Sequence, residues 1–286
     1  MLKQLAILSG KGGTGKTTLT GSFASLAHQT VIADCDVDAP NLHLLLKPKV
    51  LNKQEFKASR LAVIDYSKCN NCGICEENCR FKAIHDLTID PVLCEGCGVC
   101  AYVCPLEAIE LENTVSGYAF ISETDYGPMT HARLNPGEEN SGKLVTLVRN
   151  NAKDIAEDKG YNIILIDGPP GIGCPVIAAI TGVNLGLIVT EPTLSGIHDA
   201  KRALILLNHF KITPLICVNR YDVNLENTSK IEEFCKREDV DVVGKIPFDK
   251  IVTESMVKGK PVIEYSPTSR VSREIERTWS KVTDYL

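Results

Sequence analysis

A chain of 286 residues, 44% apolar and 23% charged, has an ordinary globular composition and predicts about two domains. Its net charge of −5 argues against nucleic acid held by bulk charge, and no apolar run approaches the ~18 residues of a membrane span. Twelve cysteines, clustered in sequence and with no secretory signal before the first strand, favour metal ligation over disulfides and imply a cytoplasmic protein.

The apolar run Leu5-Ala6-Ile7-Leu8 leads into Gly10-Lys11-Gly12-Gly13-Thr14-Gly15-Lys16-Thr17 and then into a helical stretch from Thr18. This is a strand, a glycine loop and a helix start, and it meets the P-loop pattern in full. Backbone N–H groups from Gly12 through Thr18 are expected to cradle phosphate. Lys16 is expected to reach the β- and γ-phosphates of ATP, or the β-phosphate of ADP, and the Thr17 hydroxyl to ligate Mg²⁺. A second buried strand, Thr30-Val31-Ile32-Ala33, ends in three carboxylates, Asp34, Asp36 and Asp38. Such carboxylates face the crevice where α/β proteins bind ligands, and one of the three is expected to be only a turn or cap residue.

After a polar junction the composition changes. Cys69, Cys72, Cys75 and Cys79 are followed by Cys94, Cys97, Cys100 and Cys104-Pro105, the bacterial ferredoxin run present twice. The flanks repeat as well, so a pseudo-twofold fold around two clusters is predicted. In this run the fourth cysteine serves the other cluster. Cys69, Cys72, Cys75 and Cys104 are therefore assigned to one [4Fe-4S] cluster, and Cys94, Cys97, Cys100 and Cys79 to the second. Arg80 stands where a proline usually follows the fourth cysteine. Residues 118–134 alternate as a hairpin, and Asn135 to Gly142 read as a turn leading into a helix.

Tyr161 to Asp167 is a buried strand ending in an aspartate, a Walker B pattern that puts Asp167 in the Mg²⁺ shell. Two further core strands end at Thr190 and Asn219. Cys35, Cys217 and Cys235 have no spacing partner and read as ordinary residues. Cys174, just after Gly168-Pro169-Pro170-Gly171-Ile172-Gly173, reads as a small buried residue. The tail places Val271, Ile275, Trp279 and Val282 near one helical face, with charges of mixed sign, which suits packing on a sheet better than lying on a membrane.

With Lys11 as a second lysine inside the loop, the chain resembles the deviant Walker A ATPases of the MinD superfamily. That group includes ParA and MinD, the nitrogenase iron protein and the Mrp-type iron–sulfur carriers. The combination with the cysteine runs resembles members carrying an inserted ferredoxin domain. The resemblance implies a doubly wound, mainly parallel P-loop fold over 1–58 and 113–286, with a 2×[4Fe-4S] α+β insertion over 59–112. It implies an ATP-dependent homodimer in which Lys11 reaches the partner's nucleotide. Asp36 falls at the family's water-positioning aspartate in switch I, with Asp38 as runner-up. The segment 168–173 resembles switch II. Asn219 is expected to hydrogen-bond adenine, with Pro247 and Phe248 beside the base.

Three functions follow as expectations: an ATPase coupling nucleotide state to electron transfer, an iron–sulfur or metal-cofactor carrier, and a positioning ATPase with redox-sensing clusters. No Cys-x-x-Cys pair of the Mrp type follows Cys104, and the tail has no basic amphipathic face, so the first is favoured.

Overall fold

The apolar runs form strands and the periodic segments between them form helices. In chain order the computed structural model runs β1 (Lys3–Ser9), α1 (Lys16–Leu26), β2 (Thr30–Asp34), α2 (Leu42–Leu46), β3 (Lys49–Phe56), β4 (Ser59–Ile64), α3 (Ile74–Glu77), β5 (Ile84–His85), β6 (Thr88–Ile89), α4 (Val99–Val103), β7 (Ile109–Thr114), β8 (Gly117–Thr124), β9 (Gly127–Leu134), α5 (Ser141–Lys159), β10 (Ile163–Pro170), α6 (Cys174–Ile180), β11 (Leu185–Thr190), α7 (Leu194–His209), β12 (Thr213–Asn219), α8 (Leu225–Arg237), β13 (Asp241–Ile246), α9 (Lys250–Val257), α10 (Val262–Tyr265) and α11 (Arg270–Thr283). The structure describes residues 2–138 and 141–286. The expected turn at 135–142 therefore lies partly outside them.

The chain divides into two compact units. The first comprises Met1–Lys53, Ala119–Arg133 and Ser141–Leu286, and the second Gln54–Tyr118 and Leu134–Asn140. A nine-stranded sheet has the order β13-β12-β11-β1-β10-β2-β9-β8-β3. From β13 across to β9 every neighbouring pair is parallel. Parallel strands covered on both faces need continuous apolar runs, and β1, β2, β10 and β11 are buried along nearly their whole length. One core layer joins Phe23 of α1, Leu42 and Leu45 of α2, and Val271, Ile275 and Val282 of α11. Trp279 packs on Phe23 with the rings tilted and their centroids 4.8 Å apart, so the amphipathic tail packs on the sheet layer as its pattern predicts. Because β1, β2, β10, β11 and β12 all run the same way, the strand ends Ser9, Asp34, Thr190 and Asn219 share one edge, and Asp167 lies level with Asp34 inside β10, which runs on to Pro170 rather than ending at the aspartate.

The second unit is built on the internal repeat. β4 and β7 pair antiparallel from Ser59↔Thr114 to Ile64↔Ile109, and β5 pairs with β6. Backbone conformation repeats with the sequence. Left-handed φ recurs at Asn71 (62°) and Gly96 (58°), at Gly73 (76°) and Gly98 (83°), and at Lys82 (51°) and Glu107 (50°). The unit extends past the 59–112 span read from the sequence. Ser116 explains why: its hydroxyl accepts from the N–H groups of Ala58 (3.2 Å) and Ser59 (3.0 Å), and its carbonyl accepts from Asn135 N (2.9 Å). Ser59 Oγ also donates to Glu138 at 2.5 Å, holding the 134–138 segment in this unit.

Candidate functional site

The P-loop leaves β1 and feeds α1 at the shared strand edge. Gly13 (φ 79°) and Gly15 (φ 95°) take left-handed backbone that glycine adopts without strain. A Cβ on Gly15 would lie 2.4 Å from Asn219 Nδ2, so the position is closed to larger residues on steric grounds too. Asn219 Nδ2 donates to Thr14 O at 2.8 Å, bracing the loop from β12. Its Oδ1 accepts from Arg220 N at 3.0 Å. The residue expected to meet adenine thus also holds the loop in place. Thr14 Oγ1 is buried with no hydrogen-bond partner, an orphaned polar atom inside the loop.

Lys16 opens α1 and is only 6% exposed. Thr17 Oγ1 donates to Asp167 Oδ2 at 2.8 Å, and Thr20 Oγ1 lies 2.9 Å from Asp167 Oδ1 and 3.0 Å from Lys16 O. Burial pushes the fully enclosed Asp167 carboxyl up, opposed by the Lys16 charge and the two hydroxyls. This cluster of a lysine, two hydroxyls and a carboxylate fits a Mg²⁺–phosphate group by donor chemistry. The hydroxyl and carboxylate oxygens are hard donors that would suit the cation, and the Lys16 ammonium would suit the anion.

Of the three carboxylates after β2, Asp34 is the structural one. It is fully buried and accepts from Asp36 N (3.1 Å) and Leu42 N (3.3 Å), curling the loop back onto α2. Asp36 is half-buried, and its carboxyl is pushed up to about 6 by burial, opposed by Lys16. Asp38 is exposed. Asp36, Asp38, the P-loop, Asn219, Pro247 and Phe248 line one cleft. Lys11 Nζ lies 3.1 Å from Ser195 Oγ and 3.7 Å from Glu191 Oε2, while Arg220 Nη1 lies 2.5 Å from Glu191 Oε1. Sequence reasoning missed Thr20, Glu191, Ser195 and Arg220. Only the placement of Glu191 just past a buried strand end signals it.

The eight cysteines of the two runs sort into two cavities. Cys69, Cys72, Cys75 and Cys104 line one, and Cys79, Cys94, Cys97 and Cys100 line the other. Ala83 N donates to Cys79 Sγ and Ala108 N to Cys104 Sγ, both at 3.3 Å. Apolar residues fill the rest, with Ile64 and Ile109 beside the first and Ile84 and Ile89 beside the second. Among the described residues no set of three or more His, Cys, Asp or Glu side chains converges on a single ion. A mononuclear zinc site needs four sulfurs about 2.3 Å from one point. Four thiols spread around a cavity, with N–H groups aimed at sulfur, fit a larger polynuclear group instead. Of the remaining cysteines, Cys174 is exposed rather than buried, at the start of α6. Cys35, Cys217 and Cys235 are buried, and burial pushes Cys217 up to about 12 and Cys235 to about 11, leaving inert thiols.

The sequence pattern of the CobQ/CobB/MinD/ParA nucleotide binding domain matches residues 5–262. An uncharacterized protein of Methanocaldococcus jannaschii is 34% identical over 289 residues, covering 100% of this chain and 98% of its own. An iron-sulfur cluster carrier protein of Pyrococcus horikoshii is 23% identical, with 93% of this chain and 80% of its own aligned. Among solved structures, the cell division ATPase MinD of Pyrococcus furiosus superposes with a TM-score of 0.63 at 19% identity, covering 100% of both chains. The septum site-determining protein MinD of Pyrococcus horikoshii, complexed with Mg-ADP, gives 0.62 at 21% identity, with 99% of this chain and 96% of that one covered.

Proposed function

The chain belongs to the CobQ/CobB/MinD/ParA nucleotide-binding family and has the fold of the MinD ATPases, and on that footing we propose that it is a Mg²⁺-dependent ATPase whose nucleotide state governs one-electron transfer through two [4Fe-4S] clusters. The observation that carries the redox half is the crossed cysteine set: each cavity takes three cysteines from one run and the fourth from the other. The clusters would supply low-potential one-electron storage.

The residues divide the work. Backbone N–H groups of Gly12, Gly13, Thr14, Gly15 and Thr18 hold the phosphates, and Lys16 neutralises the β- and γ-oxygens. Thr17 and Asp167, in contact at 2.8 Å, would hold Mg²⁺, with Thr20 fixing the Asp167 carboxylate. Asp36 orients the attacking water, and Lys11 delivers a charge to the nucleotide of a second copy. Pro247 and Asn219, which line the cleft, would meet the base.

Anaerobically purified protein is expected to carry about eight iron and eight sulfide, as the two-cluster ligation pattern requires. Cys79→Ser should damage the cluster of Cys94, Cys97 and Cys100. Iron near half that amount, or stoichiometric zinc, contradicts the assignment. The likeness to the Pyrococcus carrier protein favours a second reading, a carrier or assembly ATPase for iron–sulfur clusters. ATP-dependent transfer of cluster iron to an apo-ferredoxin would favour that reading.

A further inference from the structure

The internal repeat of the second unit allows each half to be compared with the other. Asp65 and Asp90 occupy equivalent positions and make equivalent turns. Asp65 Oδ1 accepts from Ser67 N at 3.0 Å, and Asp90 Oδ1 from Val92 N at 2.8 Å. The side chains on the two turns differ. The first carries Ser67, whose hydroxyl also bonds Asp65, and Lys68, paired with Asp65 at 3.4 Å. The second carries Val92, 87% exposed, and Leu93, 44% exposed. The first turn demonstrates that polar residues serve this geometry, so folding does not require the apolar tip. The helices repeat the contrast: α3 bears Glu76 and Glu77 where α4 bears Ala101 and Tyr102, the latter 92% exposed.

The apolar turn also borders a polar hollow. Pro91, Val92, Cys94 and Glu95 line it together with Arg60 and Glu138. Cys94 and Glu95 line both this hollow and the second cysteine cavity, so the hollow abuts a cluster ligand. Residues 54–118 hold ten acidic and five basic residues. Such a surface repels a second copy of itself and attracts a basic one.

We propose that the Val92 turn and its hollow form the docking face for an electron-exchange protein that presents an apolar spot ringed by lysine or arginine. The inference rests on the two-cluster reading above. Cys94, Cys97, Cys100 and Cys79 would hold the centre, which would supply one electron to a one-electron acceptor on the partner and be oxidised in turn. No bond is made or broken.

The test uses the full chain, reduced with dithionite, and cytochrome c as a basic one-electron acceptor, with the second-order rate followed by stopped flow. Iron is measured first in every variant. Val92→Lys should slow the reaction about tenfold, the size of one lost interface anchor together with an added like charge, while the repeat-equivalent Ser67→Lys should change it less than about twofold. Glu95→Gln should slow it at low salt and lose its effect at high salt. Equal slowing by Val92→Lys and Ser67→Lys, or none by Val92→Lys, overturns the proposal at full iron content. Self-association of the wild type that Val92→Lys abolishes overturns it in favour of a second copy. Wild-type protein without clusters defeats the underlying reading, and the proposal with it.

Discussion

Lys11 Nζ sits 3.7 Å from Glu191 Oε2 within the same chain, although the two residues are 180 positions apart. A lysine that acts on a second copy's nucleotide must first leave this carboxylate. The pair is partly exposed, and such pairs contribute only about 0.2–1 kcal/mol, so the lysine is held loosely. Glu191→Gln should therefore lower the ATP concentration needed for dimerisation by at most about fivefold, the equivalent of the upper end of that energy. Lys11→Ala should abolish ATP-dependent dimerisation. Light scattering with Mg-ATP reads both, and dimerisation unchanged in Lys11→Ala removes the trans role.

The phosphate cradle and the hydrolytic machinery are separable. Lys16→Ala should eliminate productive ATP binding, because the buried ammonium opposes the phosphate charge directly. Asp36→Ala should leave binding intact and slow hydrolysis about a hundredfold, the scale of losing a group that positions or activates the nucleophile. Equilibrium binding of a fluorescent ATP analogue and single-turnover hydrolysis distinguish the two. Normal hydrolysis by Asp36→Ala together with loss in Asp38→Ala would move the water-positioning role to Asp38.

His131 gives the first unit an acid-sensitive strand. Its ring stacks on Phe120 at 4.9 Å and its Nε2 lies 3.0 Å from Ser122 Oγ. Burial, with a smaller contribution from His43, holds its pKa down to about 4. The folded protein therefore resists protonating a group that the unfolded chain protonates near 6.5. This stability is complete above pH 6.5 and is lost as pH falls from there toward 4, by at most ~3 kcal/mol. His131→Phe keeps the stack and removes the titration. Urea unfolding at pH 7 and pH 4.5 should show a larger loss in the wild type than in the variant.

The nucleotide loop, the Walker aspartate and the cysteine runs were legible because each is local. Gly10 to Thr17 and the spacing of Cys69 to Cys104 carry their geometry in consecutive residues. Which carboxylate after β2 is structural was not legible. Asp34 is distinguished by a loop that curls back to bring Leu42 N within 3.3 Å. Nor was the pairing of Lys11 with Glu191 or the bracing of Thr14 by Asn219, since both depend on which strands the sheet places side by side. The limits of the second unit were misplaced for the same reason. Asn135 joins it through bonds to Ser116 and Val115 that no local pattern announces.

The central claim is that nucleotide state governs the redox half. β2, which ends at the Asp34–Asp38 loop, pairs in register with β9 (Asp34↔His131), and the chain of β9 passes at Leu134 into the second unit. A change at the nucleotide thus has a covalent route into the second unit. Coupling of this kind is typically worth about 1–3 kcal/mol. The direct measurement is the pair of cluster midpoint potentials and the electron-transfer rate to one fixed acceptor, with Mg-ADP and with a non-hydrolysable ATP analogue. The account predicts a shifted potential or a rate changed about five- to 150-fold between the two nucleotides, the range that coupling energy allows, and no such change in Lys11→Ala. Identical potentials and rates with both nucleotides would contradict it and leave two independent functions on one chain.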